Sequence, residues 1–215
     1  MSARVQNRRA ALVAAVLPVA LLAGCGGLLP KPPERQVYRI EASSVPEAGL
    51  PHVAAQLAIA TPTASDGLDS RRIALARTPV TLDYFADAEW ADQAPFLVRD
   101  ALVAGFKKSG AVASVSPASL GLHADFLLEA AIRDFQAVYD ASNGAPKVVV
   151  ALALDLVRLP DRKILTQTSV RGEATAAENK LPAIVSAFDA ALSQAVQQAI
   201  AWTTANPALL KSAAR

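Results

Sequence analysis

Along the middle of the chain, apolar side chains fall on every second residue and then change phase. Phe126, Leu128, Ala130 and Ile132 occupy even positions, whereas beyond Arg133-Asp134 the apolar set moves to Phe135, Ala137 and Tyr139. A period of two predicts a strand with one buried face, and a one-residue change of face predicts a β-bulge near Asp134. Val148 to Val157 is apolar on both faces except at Asp155, the pattern of a central strand. Pro160-Asp161-Arg162-Lys163 turns the chain, and Ile164, Thr166, Thr168 and Val170 continue as an antiparallel hairpin partner. Upstream, short strands are predicted at Val37–Ile40, Val53–Ala60, Arg72–Ala76, Val80–Phe85 and Val112–Ser116. Thr61-Pro62, Asp66-Gly67 and Thr78-Pro79 punctuate them.

Two segments change to a helical period. After Trp90, Asp92 is expected as an N-cap, Pro95 fits the first turn and Gly110 the C′ position, with Val98, Leu102 and Phe106 on one face. A longer helix is expected from 181 to 204, where Leu181, Val185, Phe188, Leu192, Val196, Ala199 and Trp202 form a stripe opposite Ser186, Asp189, Ser193 and Gln197. Residues 206–215 read as a frayed tail. The order of elements predicts an α+β domain over 36–205, an antiparallel sheet with two helices packed on one face. The face left without helices would carry Val149, Ala151, Ala153 and Val157, interrupted by Asp155. Such an apolar face is expected to mark a partner or self-association surface, so a homo-oligomer is one expectation.

The amino terminus adds a different kind of information. Arg4, Arg8 and Arg9 precede an apolar run from Ala10 to Leu22, interrupted only by Pro18. As a helix that run spans roughly 20 Å, short of the ~30 Å hydrocarbon core, so residues 1–24 read as an export signal rather than a membrane span. Leu22-Ala23-Gly24-Cys25 matches the lipobox of bacterial lipoproteins, in which the cysteine thiol receives diacylglycerol. Gly26, in place of the Asp that favours inner-membrane retention in such proteins, points to an outer-membrane anchor facing the periplasm. Residues 25–35 then form a proline-rich tether, and a chain of this kind extends ~3.1 Å per residue. The domain is expected to work close to its own membrane.

Charge and residue usage remove several function classes. Residues 25–215 carry 18 basic and 19 acidic side chains, a net charge of −1, which gives no support for nucleic-acid binding. No second cysteine is available for a disulfide, and His52 and His123 are too few for a histidine-rich metal site. No cofactor is expected.

Several blocks, taken in order, resemble one family: the auxiliary lipoprotein component of ABC-type transport systems that carry MCE-domain proteins. They are Tyr38-Arg39-Ile40, the segment from Asp66 to Ile73, Leu82-Asp83-Tyr84-Phe85, Trp90-Ala91 with Ala94-Pro95, Lys108-Ser109-Gly110, Ala124 to Leu128, and Asp134-Phe135. The resemblance implies a non-enzymatic periplasmic subunit that assists movement of phospholipid or another hydrophobic molecule between inner and outer membranes. Its implied partners are an MCE-domain membrane protein with its ABC permease and ATPase. The chain has no Gly-x-x-x-x-Gly-Lys-Ser/Thr loop of its own, so the ATPase must be another subunit. A cell-wall-binding or envelope-assembly lipoprotein unrelated to transport is the competing reading.

The candidate partner-binding residues are Asp66, Gly67, Leu68, Asp69, Ser70, Arg71 and Trp90, with Cys25 as the lipidation site. The loop could equally be an Asp-Gly turn that caps backbone amides before a strand, and Trp90 a packing anchor. Asp69, Ser70 and His123 make no credible hydrolase triad, because no Gly-x-Ser-x-Gly elbow is present. Asp66 and Asp69 lack the spacing of a calcium loop.

Overall fold

The thirteen-residue strand whose apolar phase changes at Arg133 organises the other elements around it. The computed structural model describes residues 35–42, 49–140 and 144–212. The signal segment, Cys25 and the tether up to Glu34 lie outside the described residues. In chain order the elements are β1 (Gln36–Tyr38), β2 (Val53–Ile59), β3 (Arg72–Ala76), β4 (Asp83–Trp90), α1 (Ala94–Ser109) and β5 (Val112–Pro117). A single 3-10 turn (Ala118–Leu120) leads to β6 (Phe126–Val138), β7 (Lys147–Arg158), β8 (Lys163–Thr175), α2 (Leu181–Thr204) and α3 (Pro207–Ser212).

The fold class is α+β, but the expected antiparallel sheet is corrected to a mixed one. One edge of β6 pairs with β7 along its whole length, antiparallel, and β7 pairs with β8 in the same sense. The other edge is shared by two parallel neighbours: β2 along Phe126–Leu128 and β3 along Ala137–Val138, with a bridge from Thr63 to Ala131 between them. β5 joins β2 in parallel, β4 joins β3 antiparallel, and β1 lies parallel to β4. Strand direction could not be read from the alternation, because the pairing of β2 with β5 spans β3, β4 and α1. A crossover of that length permits parallel pairing, whereas a tight turn does not.

The bulge falls where the phase change placed it: Ile132 faces Leu152, Asp134 faces Ala151, and Arg133 has no cross-strand partner. Phe135 is thereby turned into the core, where it meets Trp90 and Phe188 with ring centroids 5.9 and 5.2 Å away. Trp90 and Phe188 meet edge to face at 5.1 Å. The three rings join β4, β6 and α2, and all three side chains are buried. Such aromatic pairs contribute ~0.5–1.5 kcal/mol each beyond the area they bury.

The helix boundaries hold, but their details differ. Gly110 ends α1 in the left-handed conformation, as expected. The residue at its start is Gln93 rather than Asp92, and the Ala94 amide donates to the Ser70 carbonyl at 3.1 Å. A loop distant in sequence thus satisfies a helix-end donor that Asp92 was expected to take. In α2 the buried stripe is rotated toward Ile184, Phe188, Ala191, Ala195 and Ile200, and Ser193 is buried. Asp189 accepts the Glu41 and Ala42 amides at 3.0 and 2.8 Å, pinning the segment after β1. The expected tail is helical from Pro207 to Ser212, and Leu209 is fully buried.

The face of β6–β8 turned away from α2 is also corrected. Val149 and Val157 are buried rather than exposed. Beside Val149, Arg171 pairs with Asp134 and Glu173, and Lys147 with Glu173, at 2.8 to 3.1 Å. At the outer edge of β8, Gln198 accepts the Arg171 amide and donates to its carbonyl, and Gln194 accepts the Glu173 amide.

α2 lies flush on β8 because Gly172 has no side chain: a Cβ there would sit 1.9 Å from the Ala191 carbonyl oxygen. Gly172→Ala is therefore expected to destabilise the domain by about 3 kcal/mol or more, through overpacking against backbone. Thermal melting checks this; a variant melting with its parent would show that helix and sheet can separate cheaply. At the β7–β8 turn, both ends of the Arg158 guanidinium hold the Asp161 carboxylate, at 2.9 and 2.6 Å, and lower its pKa to about 2. A lowered carboxylate contributes stability above its ordinary range and loses it as pH falls toward that value, a small effect for an exposed pair. In Arg158→Gln the Asp161 midpoint, followed by NMR, is expected to return to the usual carboxylate range.

Candidate functional site

Three of the family-like blocks, separated in sequence, meet beside β3 and β4. The segment 65–71 is a tight loop in which the Leu68 and Asp69 amides both donate to the Ser65 carbonyl at 2.8 Å. Ser70 Oγ accepts the Arg72 amide at 2.9 Å, and the Tyr84 hydroxyl donates to the Gly67 carbonyl at 2.9 Å. Gly67 lies under the Leu82 side chain: a Cβ would sit 2.6 Å from Leu82 Cδ2, and that side-chain end would have to swing aside. The loop is thus clamped by the Leu82–Phe85 block, while Ser70 receives the first amide of α1.

Within this arrangement the predicted residues divide. Leu68 is buried and Gly67 is half-buried against Leu82 and Tyr84, so both serve the turn. Arg71 donates to the Trp90 carbonyl at 3.2 Å and pairs with Glu89 at 3.4 Å, and Arg35 pairs with the same Glu89 at 3.6 Å. Trp90 is 0% exposed, with no hydrogen-bond partner for its indole N–H among the described residues; its side chain is a packing anchor. Asp66 and Asp69 are exposed and form no hydrogen bond or ion pair through their side chains among the described residues. Arg72 lays its guanidinium 3.4 Å over the Tyr84 ring.

Next to this loop is a cleft the sequence did not suggest. The β3–β4 connection, expected as strand from Val80, is a turn held by the Thr81 hydroxyl, which accepts the Thr78 amide at 3.2 Å. Between this turn and the end of β6 lies a cavity of about 550 Å³, with Leu68, Arg77, Val80, Leu82, Arg133 and Tyr139 among its walls. The Arg77 guanidinium sits 4.9 Å over the Tyr139 ring. The Tyr139 hydroxyl donates to Asn179 at 2.8 Å, and burial raises its pKa, partly opposed by Arg77. On the other side of Arg133 a second cleft, about 580 Å³, is lined by alanines and by polar residues that include Thr63, Glu129, Asp155, Gln167 and Ser169. The signals for the first cleft were an apolar Pro79-Val80 pair inside a turn and a cation at the predicted bulge.

No hydrolytic constellation forms. Ser70 Oγ is engaged by backbone, no hydrogen bond joins it to Asp69 or His123, and His52 Nδ1 is 2.9 Å from the Gly110 carbonyl oxygen. Among the described residues no three His, Cys, Asp or Glu side chains group as metal ligands, and no helix is long and apolar enough to cross a membrane.

Comparison with known proteins places this geometry. An uncharacterised protein of Bradyrhizobium diazoefficiens is 33% identical over 153 residues, which is 70% of this chain and 40% of that protein, so the chain spans less than half the relative's length. A Xanthomonas campestris protein of the DUF330 family has the same fold, with a TM-score of 0.73 and 26% identity, covering 79% of this chain and 94% of that one. A second uncharacterised structure superposes with a TM-score of 0.57 at 18% identity, over 79% of this chain and 96% of its own. The model of the family described as ABC-type transport auxiliary lipoprotein component matches residues 38–201. The match takes in every element from the end of β1 to most of α2, and the chain belongs to that family.

Proposed function

We propose that this protein is a non-enzymatic accessory subunit, lipid-anchored through Cys25 to the outer membrane and facing the periplasm. There it receives an MCE-domain protein driven by an ABC permease and ATPase, in a system moving phospholipid or another hydrophobic molecule between the two membranes. The observation that carries this reading is family membership over residues 38–201. The convergence of Asp66–Ile73, Leu82–Phe85 and Trp90–Pro95 on one clamped loop supplies the docking surface. Its exposed carboxylates, Asp66 and Asp69, are held by a rigid turn and need no reordering to meet a partner.

The test is capture in cells. A photo-crosslinking residue in place of Asp66 is expected to trap an MCE-domain protein, and Asp66→Arg with Asp69→Arg is expected to weaken the interaction at least about tenfold by opposing its charge. Capture of cell-wall or outer-membrane assembly components instead, with no MCE-domain gene beside this one, would replace transport by the envelope-assembly reading. The anchor is tested separately by Cys25→Ala, which is expected to leave the outer-membrane fraction and to sensitise the envelope to detergent. Full envelope integrity in that variant would make the tether dispensable.

A further inference from the structure

We propose that the cleft on the open face of β6–β8 binds a small zwitterion, its ammonium group held by Glu129 and Asp155 and its acid group by Arg133. Strand register builds this site. Glu129 faces Asp155 directly across β6 and β7, and Asp155 faces Gln167 across β7 and β8. The next row along the same face has Ala131 opposite Ala153. Beyond that row comes Arg133, which the bulge leaves without a cross-strand partner. All six residues line one cavity of about 580 Å³.

The charges bordering the cavity are the unpaired ones of this face. Asp134 is met by Arg171, and Glu173 by Arg171 and Lys147. Glu129 and Asp155 meet no cation among the described residues, although like charges directly opposite one another across two strands destabilise the pairing. Only Asp155 Oδ1 gains relief, by accepting the Gln167 side-chain amide at 2.8 Å. Arg133 is the converse case, an exposed cation that makes no side-chain hydrogen bond or ion pair among the described residues.

Opposite charges on one cavity would neutralise each other if they could touch. Glu129 and Arg133 stand about 13 Å apart along β6 at strand spacing, and no ion pair joins them. A ligand that satisfies both ends must carry a positive and a negative group of its own, joined by a short link. Ala131 and Ala153, both half-buried, let an aliphatic link lie close to the sheet. A lone cation leaves Arg133 unmet, and a lone anion is repelled by the two carboxylates. An ammonium group has three donors to share between Glu129 and Asp155, and a guanidinium accepts phosphate or carboxylate in its fork. An ethanolamine phospholipid headgroup and a free amino acid both offer this chemistry. The inference rests on the β6–β8 face alone and is independent of the transport reading.

The experiment titrates the full chain, labelled at its alanine methyl groups and held in nonionic micelles, and follows it by NMR. Phosphoethanolamine and 4-aminobutyrate are the two zwitterionic probes; ethanolamine and inorganic phosphate carry one charge type each. At least one zwitterion is expected to shift the Ala131 and Ala153 methyls saturably while the buried Ala195 methyl stays in place. Glu129→Gln and Arg133→Gln, both at exposed positions, are each expected to raise the half-saturating concentration about tenfold, whereas Lys163→Gln leaves it unchanged. Tighter phosphoethanolamine binding points to a lipid headgroup, and tighter or equal 4-aminobutyrate binding to a free amino acid. The assignment is overturned by the absence of a saturable shift, or by ethanolamine or phosphate alone binding as tightly as the better zwitterion. Unchanged half-saturation in either cleft variant overturns it too.

Discussion

Between Ile132 and Asp134 the β6–β7 ladder passes over one residue, and the two faces of the sheet exchange their contents there. Without that insertion, Phe135 would point away from α2, the contact with Trp90 and Phe188 would be lost, and Asp134 would be driven into the core. A buried carboxylate without a partner costs several kcal/mol, and loss of a packed phenylalanine ~3–5 kcal/mol. With it, Arg133 and Asp134 both appear on the open face, and Phe135 completes the aromatic cluster.

That cluster ties together segments with no local reason to meet. Trp90 ends β4 immediately before α1, Phe135 lies mid-sheet and Phe188 lies in α2. The Trp90 amide donates to the Arg71 carbonyl at 2.7 Å, and the Arg71 side chain returns to the Trp90 carbonyl. The candidate docking loop is therefore fastened directly to the core. This is why a loop rich in turn-forming residues can present its carboxylates without being mobile itself. The cleft beside it inherits the same rigidity through Leu68 and Tyr139, which are walls of the cavity and members of the core at once.

Much of the fold was legible in residue patterns, because the strong patterns are local. The phase change at Arg133-Asp134, the hairpin through Pro160–Lys163, Gly110 as helix stop and the span of α2 all follow from side-chain period and turn chemistry. What escaped is non-local. The direction of β2, β3 and β5 depends on crossovers, the first amide of α1 on Ser70, and the burial of Leu209 on a packing partner far away in sequence. The site divides in the same way. The Asp66–Arg71 turn could be read, but its clamping by Tyr84 and Leu82 could not, because Gly67 advertises only a turn and not the side chain that crosses it. The cleft was invisible since Arg77, Arg133 and Val80 belong to three separate patterns, each complete without the others.

A last consequence follows from Gln194 and Gln198. Edge strands normally offer a row of amides and carbonyls to any passing strand, and proteins must blunt them. Here the helix that covers the face of β8 also folds two side-chain amides over its rim and occupies both outward groups of Arg171 and the outward amide of Glu173. Cover and hem are made by one element. A helix shifted along its axis by a single turn would uncover both at once, so the sheet's boundary is only as secure as the seating of α2 on Gly172.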